Sequence, residues 1–195
     1  MQKKSKNIKF KFAKKTAPSL KNLLVKSKIP ALGSPYGRTT KCQRKNCRGC
    51  NLMSNKDTVR GPKKKTFRTT KGNCTSRNVV YHARCVFCGK RYVGKTVTPL
   101  STRLNGHRNK FYDCIRRSQG KDIELTDEHL LGLHLFYDHG MGDAGDFNRG
   151  YKFTILENSN PAQIDHKEHV WIQRLKCITP YGLNAHDPYG IPLVL

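Results

Sequence analysis

The sequence predicts a small α/β domain, and three patterns within its 195 residues support that class. Two apolar runs with the alternation of β-strands surround Tyr81 and Tyr92, and a Cys-x2-Cys-Gly turn separates them. A third alternating run covers residues 151–156, between a glycine and an Asn-Ser-Asn segment. Helix patterns follow the second and third runs, so the predicted order is strand, strand, helix, helix, strand, helix.

The first helix pattern begins directly after the second strand. Thr98 and Pro99 are typical of an N-cap and a first helical position, and the pattern continues to about Phe111. Its apolar stripe includes two polar residues and consists of Leu100, Arg103, Leu104, His107 and Phe111. Polar groups on an inward stripe need partners. Facing two tyrosines, Arg103 and His107 suit a phosphate better than an apolar core.

The last helix pattern carries an acidic residue on its apolar side. Asn160 and Pro161 predict its N-cap and first position, and Gln163 suits a capping box. Glu168 falls inside an apolar stripe made of Ile164, Trp171, Ile172 and Leu175. Because a carboxylate is costly to bury alone, we expect Glu168 either to pair with a basic group such as Arg103 or to bind a cation.

The cysteines predict metal sites rather than disulfides, because the chain has eight of them and no export signal pattern. Cys85 and Cys88 have the spacing of a metal-binding turn. His134 and His139 complete a Cys2His2 set for zinc, at the end of a helix predicted over residues 126–137.

Two features near these histidines qualify the prediction. Residues five apart do not superpose on an α-helix, so the helix is expected to end near Tyr137. His129 is a competing ligand, and the glycine-rich stretch 139–150 is predicted to be a loop.

A second metal site is predicted upstream. Cys42, Cys47 and Cys50 have knuckle spacing, and Cys74 is the most plausible fourth ligand, with His82 a poorer alternative on the other strand face from Tyr81. The remaining cysteines, Cys114 and Cys177, have no partners at metal spacing and are expected in the core or at the surface.

Charge predicts a polyanionic partner. Residues 1–121 contain 33 basic and 2 acidic residues, whereas residues 122–195 contain 5 basic and 11 acidic ones, so the net charges are +31 and −6. A basic surface of this kind favours binding to a phosphate backbone, because binding releases the counterions condensed on the phosphates. No signal peptide, amphipathic anchor or long apolar run is evident, so a nucleic acid is expected as the partner and a membrane is not.

Four regions are predicted. Residues 1–41 form a basic flexible arm or connector, with a short helix starting near Ala17, and residues 42–74 form a zinc-knuckle region. Residues 75–186 form the main domain with the Cys2His2 site inserted, and residues 187–195 form a C-terminal tail.

The motifs resemble those of the GIY-YIG nucleases and, within them, the endonuclease domain of Penelope-like retroelements. Val79-Val80-Tyr81 stands for the first name-giving motif and Tyr92-Val93-Gly94 for the second, and the Cys-x2-Cys between them is similar to the Penelope-like branch. The resemblance covers about 73–184 and implies a three-stranded antiparallel sheet flanked by helices. The site residues that it implies are Tyr81, Tyr92, Arg103, His107, Glu168 and Asn184.

The resemblance implies a nuclear endonuclease that nicks DNA, so that a 3′ end can prime reverse transcription. Glu168 would bind Mg²⁺ or Mn²⁺, Arg103 would neutralise phosphate charge, and Tyr81 would activate water positioned by Tyr92. His107 is chemically the easier base, and the residues do not decide between it and Tyr81. An asparagine at 184 would orient a phosphate or stabilise the closing loop.

Further partners implied by the resemblance are element RNA and an upstream reverse transcriptase. The basic residues predicted to contact DNA are Lys63, Lys64, Lys65, Lys95 and Arg108. Two other function classes are a non-cleaving zinc-dependent nucleic-acid-binding module and a cellular structure-specific repair nuclease of the same fold. The inward carboxylate favours cleavage over binding alone, and the position of the Cys-x2-Cys pair favours the retroelement.

Overall fold

The computed structural model describes residues 36–186 together with 188 and 189. Most of the predicted arm, its short helix and most of the predicted tail therefore lie outside the described residues. Residues 36–41, assigned to the arm from sequence, pack on the folded domain. Thr39 is buried, bridges Gly72, and accepts a hydrogen bond from the Ile155 N–H at 3.3 Å.

Five strands form two antiparallel sheets. A hairpin joins β1 (Thr58–Arg60) to β2 (Thr66–Arg68). The central sheet has the order β4-β3-β5, with β3 at Val79–Cys85, β4 at Arg91–Thr96 and β5 at Tyr151–Asn158. All residues of β3 except Arg84 are buried, as expected for a central strand covered on both faces.

Within residues 36–186, four α-helices surround the central sheet: α1 (Leu100–Ser118), α2 (Leu130–Leu133), α3 (Asp146–Gly150) and α4 (Ile164–Leu175). A 3₁₀ turn precedes α2 at Asp127–His129, and a π-helical turn follows it at His134–Asp138. The first and last helices are the long ones, and they cover opposite faces of the sheet.

The two faces have separate cores. On the first face, Tyr81 and Ala83 pack with residues of α1 such as Leu104 and Phe111. On the second face, Val80 and Val93 pack with α4, in a cluster that also contains Val59, Leu156, Ile164, Trp171, Ile172, Leu175 and Cys177. The alternation of β3 therefore sends successive side chains to different helices.

Both outer strands of the central sheet have covered edges. Leu183 donates its N–H to the Arg91 carbonyl at 2.8 Å along β4. At the opposite edge, Phe153 of β5 accepts a bond from the Ser54 N–H at 2.7 Å and donates one to the Leu52 carbonyl at 2.8 Å. Neither strand offers an open row of backbone groups in this part of the chain.

The predicted class, the three main strands and the helix order are confirmed, and the boundaries differ for physical reasons. The first long helix starts at Leu100 with Pro99 at its N-cap, because the N–H groups of Leu100 and Ser101 bond the carbonyls of Ser76 and Cys74 instead of a threonine side chain. Residues 161–163 form a turn before α4, closed by the bond from the Gln163 N–H to the Asn160 side chain.

Three local predictions need correction. The single helix expected over 126–137 is divided into 3₁₀, α and π segments. The glycine-rich stretch 139–150, predicted to be a loop throughout, ends in the short helix α3. The β1–β2 hairpin within 42–74 was not predicted, since its strands have only three residues each.

Candidate active site and metal centres

A cavity of about 240 Å³ lies at the β4 edge of the sheet, where side chains from both faces meet. Its lining includes Tyr92 and Lys95 of β4, Arg103 of α1 and Glu168 of α4, together with Asp127 and residues 184–186. Four of the six site residues named from sequence therefore line the cavity directly, namely Tyr92, Arg103, Glu168 and Asn184.

Tyr81 and His107 form a buried pair next to this cavity. The Tyr81 hydroxyl lies 2.6 Å from His107 Nε2, and Arg103 Nε donates a hydrogen bond to the same hydroxyl at 3.2 Å. Tyr81 is fully buried and His107 is 3% exposed. The prediction that the arginine and the histidine of α1 turn inward toward the tyrosines is confirmed.

Gly94 makes this arrangement sterically feasible. It lies opposite Tyr81 in the β3–β4 pairing. A Cβ at this position would lie 2.6 Å from the Tyr81 hydroxyl and 2.7 Å from the Tyr92 ring. The Tyr92-Val93-Gly94 segment therefore needs its glycine because the two tyrosine rings lie against the Gly94 backbone.

Burial controls the protonation of the pair. It raises the pKa of Tyr81 well above its usual value, with Tyr92 adding to the effect and Arg103 opposing it. Burial, reinforced by the Arg103 cation, lowers the pKa of His107 to about 3. Tyr81 is therefore a neutral phenol and His107 a neutral imidazole near pH 7. Since Arg103 donates to the phenol oxygen, the phenol proton is directed to His107 Nε2.

Glu168 is paired with a lysine rather than with Arg103. Lys95 Nζ lies 3.1 Å from its carboxylate and also contacts Asp165, one turn earlier on α4. The Glu168 side chain is 12% exposed. Burial raises its pKa, and Lys95 partly offsets that rise. This carboxylate on an apolar stripe has the basic partner that its burial requires.

The Asn184 side chain is hydrogen-bonded to the backbone of β4 at the edge of the sheet. Its side-chain amide donates to the Val93 carbonyl at 2.7 Å and accepts from the Val93 N–H at 2.9 Å. These two bonds use the outward backbone groups of β4. Of the two roles expected for Asn184, the arrangement matches the stabilisation of the closing loop.

The predicted Cys2His2 residues come together at the turn between β3 and β4. Cys85 Sγ lies 3.4 Å from His139 Nε2, Cys88 Sγ lies 3.3 Å from His134 Nε2, and the two Nε2 atoms are 3.2 Å apart. A tetrahedral ion with zinc bond lengths separates its ligand atoms by about 3.3–3.8 Å. The four side chains could therefore hold a zinc ion.

The π-helical turn explains how two histidines five residues apart reach one site. A π-helix bonds residue i to residue i+5, so His134 and His139 lie almost one above the other. Asp138 Oδ2 accepts a hydrogen bond from His134 Nδ1 at 2.7 Å, and this bond fixes the orientation of the imidazole ring. The competing His129 points elsewhere, since its Nδ1 accepts a bond from the Thr126 N–H at 2.9 Å.

The upstream cysteines also converge. The Sγ atoms of Cys47 and Cys74 are 3.3 Å apart, those of Cys42 and Cys50 are 3.4 Å apart, and those of Cys50 and Cys74 are 3.5 Å apart. Disulfide sulfurs are separated by only about 2.05 Å, so these are free thiols at the spacing of metal ligands. This cluster too could hold a zinc ion, with Cys74 as its fourth member.

His82 was the alternative fourth ligand of the upstream cysteine site. It lies on the second face of the sheet, opposite to the face that holds Tyr81. It is buried, and neither ring nitrogen has a hydrogen-bond partner among the described residues. Burial, reinforced by the cations of Arg91 and Arg84, lowers its pKa to about 3. Cys114 and Cys177 are both buried, as expected for core residues.

One predicted DNA contact is wrong in this structure. Arg108 is 4% exposed, and its guanidinium donates to Asn148 at 2.9 Å and to the Arg48 carbonyl at 3.4 Å. Its position on α1, beside Leu104 and Phe111, turns it inward. Lys63, Lys64 and Lys65 are exposed, as DNA contact requires, and Lys95 lines the cavity.

Sequence reasoning missed two acidic residues at the cavity. Glu128 lies 3.5 Å from Arg103 Nη1 and 3.6 Å from Lys110 Nζ. Asp127 lines the cavity and lies 3.3 Å from His186 Nδ1. Their only sequence signal is the local excess of acidic residues after residue 121, which does not specify a location in space.

Comparisons of this chain with protein-family models, with curated proteins and with solved structures found no match in any of the three. Within the described residues, no helix has both the length and the apolar character that crossing a bilayer requires.

Proposed function

We propose that this chain is a metal-dependent DNA endonuclease of the GIY-YIG type, with the corresponding fold. The supporting observation is the convergence of Tyr92, Arg103 and Glu168 on one cavity, with Tyr81 hydrogen-bonded to Arg103 and to His107. A guanidinium binds a phosphate, a phenol moves a proton and a carboxylate binds a cation. Together they suit hydrolysis of a phosphodiester.

Glu168 would hold the proposed Mg²⁺ or Mn²⁺. Its carboxylate is partly exposed at the cavity and is balanced by the single cation Lys95 at 3.1 Å. Magnesium sites in enzymes often use one or two carboxylates, with waters and substrate phosphates completing the coordination, so this donor set fits. The ion would stabilise the negative charge of the phosphate and of the leaving oxygen.

The Tyr81–His107 pair would supply the proton acceptor. A phenol with a raised pKa is a poor base by itself. His107, however, is neutral and lies 2.6 Å from the phenol oxygen. Tyr81 would take a proton from the attacking water while passing its own proton to His107 Nε2. Neither residue lines the cavity, and Arg103, which lines it and donates to the Tyr81 hydroxyl, connects the pair to the site, so both residues act in this scheme and neither replaces the other.

Arg103 would act in two ways on this reaction. Its Nε atom donates to the Tyr81 oxygen at 3.2 Å, which stabilises any negative charge that develops there. Its Nη1 atom lies 3.5 Å from Glu128, at the cavity. A phosphate entering the cavity would compete with Glu128 for that end of the guanidinium.

The proposed source of this nuclease is a Penelope-like retroelement acting in the nucleus, with element RNA and a reverse transcriptase as further partners. The supporting feature is the Cys2His2 cluster built into the β3–β4 turn, between the two tyrosine motifs. A cellular repair nuclease would use the same cavity. Cleavage of a plain supercoiled plasmid compared with a branched substrate separates the two sources.

A non-cleaving nucleic-acid-binding module is the second candidate. The Lys95–Glu168 ion pair favours it, because the pair accounts for the buried carboxylate without a metal. The two candidates differ in whether Glu168 binds a catalytic metal ion or only forms an ion pair with Lys95. Mutation of Glu168 in a cleavage assay therefore decides between them.

The experiment compares Glu168→Gln with Asp165→Asn in supercoiled-plasmid nicking with Mg²⁺ and with Mn²⁺. Both carboxylates contact Lys95 from α4, but only Glu168 lines the cavity. We expect Glu168→Gln to lose at least about 100-fold in nicking rate. Asp165→Asn, which breaks a solvent-exposed ion pair, should stay within about fivefold of the parent.

The pH profile and stability of the same variants complete the test. Because burial raises the pKa of Glu168, nicking by the parent should fall as the pH drops through a value above the ordinary 4.5. A raised carboxyl pKa means that the ionised form opposes folding at neutral pH, so Glu168→Gln should not lower the melting temperature. A folded, zinc-loaded parent that binds DNA without nicking it would favour the binding module.

A further inference from the structure

The tip of the β1–β2 hairpin holds lysines in a backbone conformation that lysine disfavours. The Lys65 N–H donates to the Pro62 carbonyl at 3.0 Å and closes a turn whose central residues are Lys63 and Lys64. Their φ angles are +50° and +60°. Two consecutive positive φ angles characterise type I′ turns, which strongly prefer Asn-Gly. Folding alone therefore disfavours lysine at both positions.

The basic residues of the hairpin also lack acidic partners among the described residues, although Lys65 and Arg68 lie over the rings of Phe67 and Tyr36. Arg60, Lys63, Lys64, Lys65 and Arg68 are all exposed. None of them forms an ion pair with any residue in the described part of the chain, in contrast to Lys90, Lys95, Lys110 and Lys167. Cations without acidic partners, crowded on one short hairpin, repel one another and suit a polyanion.

The hairpin is held firmly against the helix that carries Glu168. Phe67 packs edge-on against Trp171 with ring centroids 5.6 Å apart. A Cβ on Gly61 would lie 2.7 Å from the Phe67 ring and 3.3 Å from the Arg174 carbonyl. The base of the loop therefore touches the last turn of α4, and its glycine is needed for that close approach.

The contact with α4 sets a distance between the lysine tip and the cavity. Glu168 and Arg174 are about 9 Å apart along the helix axis. The contact between the helix and Gly61 adds a few Å, and the two residues from Gly61 to Lys63 add about 7 Å, so the total is about 20 Å. Successive phosphates of one DNA strand advance by about 3.4 Å, so this distance corresponds to about six base pairs.

We propose that the hairpin tip is a phosphate-binding element for duplex DNA, acting within about six base pairs of the phosphate that is cleaved at the cavity. The left-handed turn exposes consecutive lysines at the tip of a hairpin that packs against α4 through Phe67 and Gly61. This position is measured from the proposed cleavage site and so rests on the proposed function. The phosphate contact itself does not depend on cleavage.

Three hairpin variants separate charge from backbone conformation. Lys63→Asn with Lys64→Gly removes both charges and supplies the favoured turn sequence. Lys63→Gln with Lys64→Gln removes the charges and leaves the unfavourable conformation, and Lys63→Arg with Lys64→Arg keeps the charges. Lys121→Gln removes one exposed charge elsewhere and controls for net charge.

Binding is measured by fluorescence anisotropy with a 30-base-pair duplex over a salt series, without divalent cations. The Asn-Gly and Gln-Gln variants should both weaken binding and reduce the slope of log affinity against log salt by about 2, while Arg-Arg keeps the parent slope. Only Asn-Gly should raise the melting temperature, by about 4 °C or more. Higher stability with weaker binding is the expected signature.

A parent-like salt slope in the Asn-Gly variant would overturn the proposal, as would a loss per charge no larger than that of Lys121→Gln. Phosphate ethylation interference then tests the position. At one or more phosphates within about six positions of the nick, ethylation should weaken binding by the parent but not by the Asn-Gly variant. If the parent binds but never nicks, the salt-slope result still stands and only the proposed function fails.

Discussion

Buried histidines on the two faces of the central sheet differ in their hydrogen-bond partners. On the first face, Tyr81 has both His107 and Arg103 as partners, and the Tyr151 hydroxyl donates to the Leu131 carbonyl at 2.8 Å. On the second face, His82 is equally buried but has no partner for either ring nitrogen among the described residues.

The difference shows that burial, and the lowered pKa that it causes, does not by itself identify a catalytic histidine. Both His107 and His82 have a pKa lowered to about 3, first by burial and then by nearby arginines. Only His107 is hydrogen-bonded, and its partner is bonded in turn to a residue of the cavity. The hydrogen-bond network, and not the pKa shift, separates the candidate catalytic residue from the structural one.

The largest expected effect comes from breaking the metal cluster at the end of the first face. Cys85→Ser removes one of four converging ligands, and structural zinc contributes folding free energy directly. We expect a loss of more than about 5 kcal/mol, which unfolds a domain of this size. Zinc content by mass spectrometry and the melting temperature both measure this.

Cys114→Ser is the matched control for that variant. Cys114 is buried on the same face but lies outside both clusters, and its thiol contacts the Lys110 carbonyl at 3.3 Å. A serine can keep this bond, so the cost should be about 1 kcal/mol with no loss of zinc. The cluster assignment fails if Cys85→Ser keeps its zinc and the parent melting temperature.

The next largest effect is expected from a substitution at Gly94, which tests how closely Tyr81 and Tyr92 pack against the β4 backbone. In Gly94→Ala, the added methyl group meets the Tyr81 hydroxyl and the Tyr92 ring, so one of the strands must shift. We expect a loss of about 1–3 kcal/mol in urea unfolding and a larger fractional loss of nicking. The control is Gly106→Ala in α1, where nothing lies within 4 Å of the added Cβ. It should gain about 1 kcal/mol. Equal effects of the two variants would contradict this account of Gly94.

Local spacing carried most of what the sequence predicted. The cysteine pairs, the alternation of β3 and the stripe of α1 depend on residues close together in the chain. These patterns were enough to predict the members of both clusters and the inward orientation of Arg103 and His107 toward Tyr81. Asn184 was located only through the resemblance, because its bonds to Val93 join residues 91 positions apart.

The remaining features depend on packing between distant elements. Lys95 lies on the same face of β4 as Val93, but its pairing with Glu168 depends on how α4 lies across the sheet. The π-turn that aligns His134 with His139 replaces an expected helix end. By contrast, the burial of Arg108 was readable, because a helix places it beside Leu104 and Phe111.

The smallest expected effect is a change in pH dependence caused by the unpartnered histidine of the second face. Since the pKa of His82 falls from about 6.5 in the unfolded chain to about 3 in the fold, the unfolded state binds more protons, and stability is lost as the pH falls below 6.5. His82→Leu removes this term, whereas His107 and the cluster histidines contribute equally to both proteins. The loss of unfolding free energy between pH 7 and 5.5 should therefore be smaller in the variant by about 1 kcal/mol. An unchanged loss would mean that His82 finds a partner in solution, and the contrast between the two faces would then disappear.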